Sequence, residues 1–269
     1  MTDDLVPLTL EGRPVRVLAR GPQGGPVVLF AHPFPLDGGA WAASLDACAQ
    51  AGMRAVAVDV PGFGGTPALG RPFTPDDFAR LLAATLDALG GHRASLVGCS
   101  MGGYALMAFA RLFPGRMARS VLLCTKAAAD APEAKAAREA GALASLSLGT
   151  APFLAGLLPK LVAPGVPERE PRLWARVQDE AASATAQGLA DVLRGLALRP
   201  DSRPGLAFWP GPALVIAGQL DQLMPLPDLE ALAAGIPGAK LTVIEGAGHF
   251  AMLEREAEVA KAIVDFVRG

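Results

Sequence analysis

Residues 96–107 read LVGCSMGGYALM, an apolar run that passes through the pentapeptide Gly-Cys-Ser-Met-Gly (98–102) into a helical pattern. A Gly-x-Ser-x-Gly pentapeptide between a strand and a helix makes a turn so sharp that its serine takes a strained backbone conformation. The two glycines are needed because a side chain at either position would collide with the turn. We therefore predict that Ser100 is a nucleophile at the end of a strand, beside the positively polarised amides that begin a helix.

Apolar runs alternate with helical patterns on both sides of this pentapeptide. Runs typical of strands buried on both faces of a sheet cover 26–31, 54–59, 95–97, 120–124, 213–217 and 240–244. Helical patterns cover 40–52, 74–89, 227–235 and 254–267. Strands that alternate with helices at this spacing require a mostly parallel, doubly wound sheet of the α/β class. The alternation of apolar and polar side chains in residues 5–20 predicts an antiparallel hairpin that turns near Glu11-Gly12.

The strand pattern is interrupted in the second half of the chain. Residues 126–205 show only Ala-rich helical stretches separated by prolines, at about 132–148, 150–163, 168–183 and 185–198. This segment is too long for a crossover connection and too helical for a loop. We expect an α/β core formed by residues 1–125 and 206–269, with residues 126–205 inserted as a helical cap over the sheet.

Composition and charge narrow the function classes. The chain of 269 residues has a formal net charge of −2, with no basic block of the kind that binds nucleic acid. It has no apolar stretch long enough to cross a membrane and an acidic start without a secretion-signal pattern, so we expect a cytoplasmic protein. The isolated Cys48, Cys99 and Cys124 fit no zinc spacing and no disulfide framework, which predicts buried thiols. No metal or organic cofactor is implied.

A serine hydroxyl needs a base within hydrogen-bond reach. His92 lies in a Gly-Gly-His-Arg turn and His32 ends a strand, so we interpret the first as a surface residue and the second as structural. His249 lies in a Gly-rich loop after the last predicted strand, at the sheet edge where Ser100 also emerges. We therefore predict that His249 is the general base.

The acid that orients this base should follow another strand at the same edge. Asp221 lies four residues after the run that ends at Ala217, and it precedes His249 in the Ser, Asp, His order that this sheet topology uses. Asp59 and Asp228 are the alternatives for this role.

A tetrahedral intermediate also requires two amide donors for its oxyanion. One is the amide of Met101, directly after the nucleophile. The second should come from the loop after Ala31, where Phe34 keeps an N–H between two prolines that have none. As residues that line the substrate pocket we expect Phe34, Leu36, Trp41 and Phe250.

Together these residues resemble the α/β-hydrolase superfamily. The resemblance is carried by His32-Pro-Phe-Pro, Asp59-Val-Pro-Gly-Phe-Gly, Gly98-Cys-Ser-Met-Gly-Gly, Gly218-Gln-Leu-Asp and Gly248-His-Phe. It implies an eight-stranded sheet with one antiparallel edge region and a cap inserted after the sixth strand. It also implies Ser100 as nucleophile, Asp221 as acid and His249 as base. The stretches 34–41 and 197–204 resemble the branch of esterases similar to 3-oxoadipate enol-lactonase.

The predicted function is hydrolysis of a small carboxylic ester or lactone through an acyl-enzyme on Ser100. The partner would be a small-molecule substrate, and the protein a monomer or homodimer. Three alternatives stay open at this point. The same triad serves hydrolysis of a carbon–carbon bond, and it serves acyl transfer to an alcohol or to peroxide. The protein could also be a ligand-binding sensor built on a hydrolase fold.

Overall fold

The computed structural model describes residues 6–269. The first elements of this range form a short hairpin. Strand β1 (Thr9–Leu10) pairs antiparallel with β2 (Arg13–Pro14). Glu11 and Gly12 form the turn, both with positive φ. The antiparallel turn predicted at these two residues is confirmed, but its strands are shorter than the predicted range 5–20. Residues 17–20 form a separate strand that pairs in the central sheet, and residue 5 lies outside the described residues.

The central sheet of the described residues has seven strands. In chain order they are β3 (Val17–Arg20), β4 (Val27–Ala31), β5 (Arg54–Val58), β6 (Ala94–Cys99), β7 (Met117–Leu123), β8 (Ala213–Gly218) and β9 (Lys240–Ile244). Their spatial order is β3-β5-β4-β6-β7-β8-β9. Only β3 runs antiparallel to its neighbour, β5, and every other pair in this sheet is parallel. The mostly parallel α/β sheet is confirmed.

The strand count differs from the eight strands that the resemblance implied. Residues of β1 and β2 pair only with each other, so the sheet of the described chain has seven strands. Hairpin strands of two residues are too short to extend the ladder of β3, and most of their side chains are exposed. Because β1 and β2 do not join this sheet, β7 is its fifth strand in chain order. The helical insertion therefore follows the fifth strand of the sheet and not the sixth.

Helices cover both faces of the sheet. The bounds are α1 (Ala42–Gln50), α2 (Pro75–Ala88), α3 (Met101–Leu112), α4 (Pro132–Leu148), α5 (Thr150–Leu157), α6 (Val166–Arg169), α7 (Pro171–Ala181), α8 (Ala186–Ala197), α9 (Leu226–Gly235), α10 (Ala251–Glu254) and α11 (Glu256–Arg268). One buried apolar cluster includes residues of α2, α3 and α9, and a second includes residues of α1 and α11. Because both faces are covered, every residue of β5, β6 and β8 is buried.

Local sequence signals explain where α2 begins. Thr74 accepts a hydrogen bond from the amide of Asp77, and the Asp77 carboxylate accepts one from the amide of Thr74. This capping box, followed by Pro75 at the first helical position, starts α2.

The segment between β7 and β8 is helical, as predicted. It contains α4 to α8 and no strand. The amide of Thr185, which caps α8, donates to Gly62 O at 2.8 Å, and the amide of Phe73 donates to Asp191 O of α8 at 3.0 Å. These contacts attach the helical segment to loops of the sheet, so we keep residues 126–205 as our proposed cap.

No helix within residues 6–269 combines the length and apolar character required to cross a membrane. Cys48, Cys99 and Cys124 are buried free thiols, as predicted.

Candidate active site

Ser100 occupies a strained turn between β6 and α3. Its φ of 52° and ψ of −110° lie in a region that residues with a side chain rarely adopt. The turn is held by hydrogen bonds from the Ser100 amide to Leu123 O and from Thr125 Oγ1 to Ser100 O, both 2.9 Å. Strain of this kind is maintained only when its surroundings fix it, which is typical of a functional residue.

The two flanking glycines make the turn possible. A Cβ at Gly102 would lie 2.1 Å from Ala31 O, and a Cβ at Gly98 would lie 2.5 Å from the backbone of Gly102. Both distances are far below van der Waals contact. Both glycines of the Gly-x-Ser-x-Gly pattern are therefore required because a larger residue would collide with the backbone.

Asp221 and His249 form a buried pair at the carboxyl ends of neighbouring strands. Asp221 follows β8, His249 follows β9, and His249 Nδ1 lies 2.7 Å from Asp221 Oδ2. The other oxygen of Asp221 accepts the amides of Leu223 at 2.8 Å and Met224 at 3.0 Å. Burial raises the pKa of Asp221, but the adjacent His249 and these amides outweigh burial and lower it. An ionised Asp221 keeps the proton of His249 on Nδ1 and leaves Nε2 free to accept one.

Ser100 and His249 line one cavity of about 360 Å³. No hydrogen bond joins Ser100 Oγ to the His249 ring among the hydrogen bonds of residues 6–269. Catalytic hydrogen bonds are commonly long or misaligned without substrate and tighten when it binds. The structure thus brings the predicted base and acid into contact and places the predicted nucleophile in the same cavity.

The predicted oxyanion donors also border this cavity. Phe34 and Met101 are both lining residues. Within the described chain neither backbone N–H donates to a protein acceptor, which leaves both available to a ligand. Met101 is the first residue of α3, where the helix dipole adds positive potential. The Phe34–Pro35 peptide bond is cis.

Three of the predicted pocket residues are instead part of the core. Leu36, Trp41 and Phe250 have no exposed surface and do not line the cavity. Trp41 packs against Phe30, with ring centroids 5.4 Å apart, in the cluster on the α1 and α11 face. Their assignment to the pocket was wrong because a large apolar side chain close in sequence to a site can point to the other side of its loop. Phe34 alone of the four lines the cavity.

The alternative acids do not contact His249. Asp59 accepts the amide of Gly38 at 2.7 Å and the guanidinium of Arg16 at 2.8 Å. Asp228 lies in the first turn of α9 and borders a different cavity. Of the three candidate acids, Asp221 is therefore the carboxylate that contacts His249.

His32 has the structural position predicted for it. Its Nε2 accepts the amide of Val60 at 3.1 Å, and its Nδ1 lies 3.1 Å from Pro33 O. This pattern requires a neutral ring with its proton on Nδ1. Burial lowers the pKa of His32 to about 4, against a usual value of 6.5, which keeps the ring neutral.

A buried glutamate that sequence reasoning missed supports the His249 loop. Glu254 accepts the amide of Gly248 at 3.0 Å and the amide of Ala163 at 2.9 Å. Its carboxylate thereby joins the loop that contains His249 to the helical insertion. The available signal was a lone acid at the end of the apolar run 250–253, five residues after the histidine.

Four polar residues of the cavity were also missed. They are Tyr104, Lys126, Asp130 and Arg138. Tyr104 lies four residues after Ser100, one helical turn further along α3, and this spacing was the signal that could have placed it in the cavity. Lys126 and Asp130 lie in the loop that leaves β7 and Arg138 lies on α4, where no pattern connects them to Ser100, Asp221 and His249.

One cluster in the described chain has the residue types of a metal site. Cys124, Asp221 and His249 offer three ligand atoms within 4.8 Å of one another. Burial raises the pKa of the Cys124 thiol well above its usual value, and a thiol that keeps its proton is a poor ligand. Since Asp221 and His249 are already paired with each other, these residues do not fit a metal ion.

Comparison with known proteins identifies the family of this chain. The family model described as alpha/beta hydrolase fold matches residues 26–256. A 2-hydroxy-6-oxononadienedioate/2-hydroxy-6-oxononatrienedioate hydrolase from Burkholderia vietnamiensis is 30% identical over 84% of this chain and 80% of its own.

Two solved structures are similar along almost the whole chain. A thermophilic esterase from Thermogutta terrifontis, described as malate bound, has a TM-score of 0.92 and 31% identity, covering 98% of this chain and 96% of its own. An enol-lactonase from Burkholderia xenovorans has a TM-score of 0.89 and 26% identity, covering 96% of this chain and 98% of its own. The chain is therefore an enzyme of the α/β-hydrolase family, in the branch that contains esterases and enol-lactonases.

Proposed function

We propose that this enzyme is a serine hydrolase that cleaves a small carboxylic ester or lactone through an acyl-enzyme on Ser100. The observation that carries the proposal is the buried Asp221–His249 pair, 2.7 Å apart, on the cavity into which the strained turn of Ser100 opens. A nucleophile, a base and an acid that orients the base are the minimum set for this chemistry.

The reaction would proceed in two steps. His249 Nε2 takes the proton of Ser100 as Oγ attacks the carbonyl carbon, and the amides of Phe34 and Met101 bind the oxyanion. The intermediate collapses, and the imidazolium gives its proton to the leaving oxygen. Water, deprotonated by His249, then attacks the acyl-enzyme, and Ser100 recovers its proton as the acid product departs.

The experiment is turnover of p-nitrophenyl acetate and butyrate by the wild-type protein and by Ser100→Ala. We expect turnover that Ser100→Ala reduces by at least about a thousandfold. The matched control is Ser147→Ala, an exposed serine on α4, which should keep the wild-type rate. A folded wild-type protein that turns over neither these esters nor a carbon–carbon substrate would instead favour the ligand-binding sensor. A protein that prefers an alcohol or peroxide over water as acceptor would be an acyltransferase or perhydrolase.

Hydrolysis of a carbon–carbon bond is the second candidate. Its support is the relative named as a 2-hydroxy-6-oxononadienedioate hydrolase, at 30% identity. The two candidates separate when kcat/KM is measured for a 2-hydroxy-6-oxo-dienoate and for a simple ester. A value at least about tenfold higher for the dienoate would favour this candidate over ester hydrolysis.

We also keep, as proposals, a monomeric or homodimeric state and a cytoplasmic location. Size-exclusion chromatography with light scattering tests the first, and cell fractionation tests the second.

A further inference from the structure

The loop that contains His249 has two backbone carbonyls that no amide satisfies. Neighbouring groups of this loop are paired, since Leu220 donates its amide to Ala247 O at 2.8 Å. Glu254 accepts the amide of Gly248 at 3.0 Å. Within residues 6–269, however, no backbone amide donates to Gly248 O or to His249 O. Both residues are buried, and a buried carbonyl normally has a donor. These two carbonyls therefore depend on side chains.

Two cysteine thiols are the donors. The thiol of Cys99 donates to His249 O, with Sγ 3.7 Å from the oxygen. The thiol of Cys124 donates to Gly248 O, with Sγ 3.9 Å from the oxygen. A thiol is a weak donor, but these bonds are the only ones that the two carbonyls accept within the described chain. Burial raises the pKa of both thiols well above the usual value, so each thiol keeps the hydrogen that it donates.

Cys99 connects the base to the nucleophile. It ends β6 and directly precedes Ser100, so one residue joins the turn of the nucleophile to the backbone of His249. Among the hydrogen bonds of residues 6–269, none joins Ser100 Oγ to the His249 ring. The position of the ring relative to Ser100 therefore depends on contacts between their two segments of backbone, and Cys99 makes one of these contacts.

Cys124 connects the base to the acid. It follows β7, which lies between β6 and β8, and its amide donates to Ile216 O of β8 at 2.9 Å. Its Sγ, an oxygen of Asp221 and a ring nitrogen of His249 all lie within 4.8 Å of one another. Cys124 has a φ of 45°, a left-handed conformation that is strained for a residue with a side chain and typical of functional positions. Its thiol is thus held against both members of the buried pair.

We propose that Cys99 and Cys124 are positioning residues, which hold the carbonyls of His249 and Gly248 and so place the imidazole where it can take the proton of Ser100. Neither cysteine lines the cavity, so neither would touch the substrate. Their effect would pass through His249, because a displacement of about 1 Å at a catalytic group can reduce a rate by about a hundredfold. This inference rests on the proposed function and adds two residues that support its base.

The test measures kcat and KM for p-nitrophenyl acetate in cysteine variants. Alanine lacks only the sulfur atom, so Cys99→Ala and Cys124→Ala should fold, which circular dichroism checks. We expect each to reduce kcat by about tenfold or more, with KM within about twofold of wild type. Cys99→Ser and Cys124→Ser retain a hydrogen-bond donor and should recover kcat to within about threefold of wild type.

The matched control is Cys48→Ala. Cys48 is as fully buried as the other two cysteines, but it lies on α1 and contacts neither carbonyl of the His249 loop. Cys48→Ala should therefore keep the wild-type kcat.

A second measurement does not need turnover. The chain has three histidines, so isotope-labelled histidine gives three ring signals by NMR, and the signal of His249 is the one that His249→Gln removes. We expect this signal to move in Cys99→Ala and Cys124→Ala, to return toward its wild-type position in the serine variants, and to stay in place in Cys48→Ala. The signals of His32 and His92 should not move in any of these variants.

Two results would overturn the support by the two thiols. One is a wild-type kcat in both alanine variants, and the other is a loss of kcat in Cys48→Ala as large as theirs. If the wild-type protein hydrolyses no ester, the proposed function fails and the His249 signal alone decides. A signal that stays in place in Cys99→Ala and Cys124→Ala would then refute the support, and one that moves in both and returns with serine would sustain it.

Discussion

His249 Nδ1 lies 2.7 Å from Asp221 Oδ2, although the two residues are 28 positions apart in the chain. They meet because β8 and β9 are parallel neighbours, so the loops that follow them leave the same edge of the sheet. Ser100 follows β6, which β7 separates from β8, and it leaves the same edge of the sheet. The proposed triad is thus a direct consequence of strand order.

Replacing the acid should reduce turnover far more than stability. In Asp221→Asn an amide that donates hydrogen bonds can hold His249 in the wrong tautomer, and the imidazolium loses its stabilising charge. We expect kcat for p-nitrophenyl acetate to fall by roughly a thousandfold to ten-thousandfold. Asp228→Asn, in the first turn of α9, is the matched control and should remain within about twofold of wild type. Retention of a tenth of the activity in Asp221→Asn would contradict the role of this acid.

The turn around Ser100 should not tolerate a methyl group. In Gly102→Ala the new Cβ would lie 2.1 Å from Ala31 O, so the turn or β4 has to move. We expect the free energy of unfolding to fall by about 2 kcal/mol or more. Gly115→Ala is the control because nothing lies within 4 Å of its added Cβ. Urea unfolding of the two variants measures the difference, and equal stabilities would argue against a tight turn.

His32 should make stability depend on pH. Its pKa is about 4 in the folded protein, below the usual 6.5, so between these values the unfolded chain takes up a proton that the folded protein cannot bind. The free energy of unfolding should therefore be highest above about pH 6.5 and fall as pH decreases, by roughly 2 to 3 kcal/mol at pH 4.5 from this residue.

The measurement is urea unfolding at pH 7 and at pH 4.5. His32→Gln should lower the free energy of unfolding at both pH values, because the hydrogen bond from the Val60 amide is altered. It should also reduce the difference between the free energies of unfolding at pH 7 and at pH 4.5. The exposed His92 gives the control variant His92→Gln, which should keep the wild-type difference. If the free energy of unfolding of His32→Gln differs between the two pH values as much as that of the wild type, a buried neutral His32 is not the source of the pH dependence.

Glu254 should stabilise both the fold and the loop of the base. Glu254→Ala leaves the amides of Gly248 and Ala163 without their acceptor, and each unpaired buried amide costs about 1 to 3 kcal/mol. Glu254→Gln keeps one acceptor oxygen and should lose less. Glu258→Ala, exposed on α11, is the control. Because the Gly248 amide adjoins His249, we also expect kcat of Glu254→Ala to fall with KM nearly unchanged. A wild-type kcat in Glu254→Ala would show that Glu254 does not position the loop of His249.

The sequence predicted those parts of the protein that depend on local pattern and chain order. The apolar runs predicted the parallel strands, and the Gly-x-Ser-x-Gly pentapeptide predicted the turn at Ser100 with its steric cause. Asp221 and His249 could be placed at one edge because parallel strands end together. The strand number was overestimated because the count of eight came from the family resemblance, whereas β1 and β2 pair only with each other and do not join the central sheet.

The direction in which loop side chains point could not be predicted from the sequence. Phe34 and Leu36 are two residues apart, yet the first lines the cavity and the second is fully buried in the core. The carboxylate of Glu254 and the polar residues of the cavity around Tyr104 depend on contacts between the helical insertion and the sheet. Such contacts join residues tens of positions apart, and no local pattern encodes them.

The central claim is that Ser100 is a nucleophile activated by His249 and Asp221, and covalent labelling tests it most directly. The protein is treated with a fluorophosphonate, its intact mass is measured, and the modified residue is identified by peptide mass spectrometry. We predict one adduct per chain, on Ser100, formed much more slowly in Asp221→Asn and absent in Ser100→Ala. Folded wild-type protein that gains no mass, or that carries the adduct on another residue, would contradict the account.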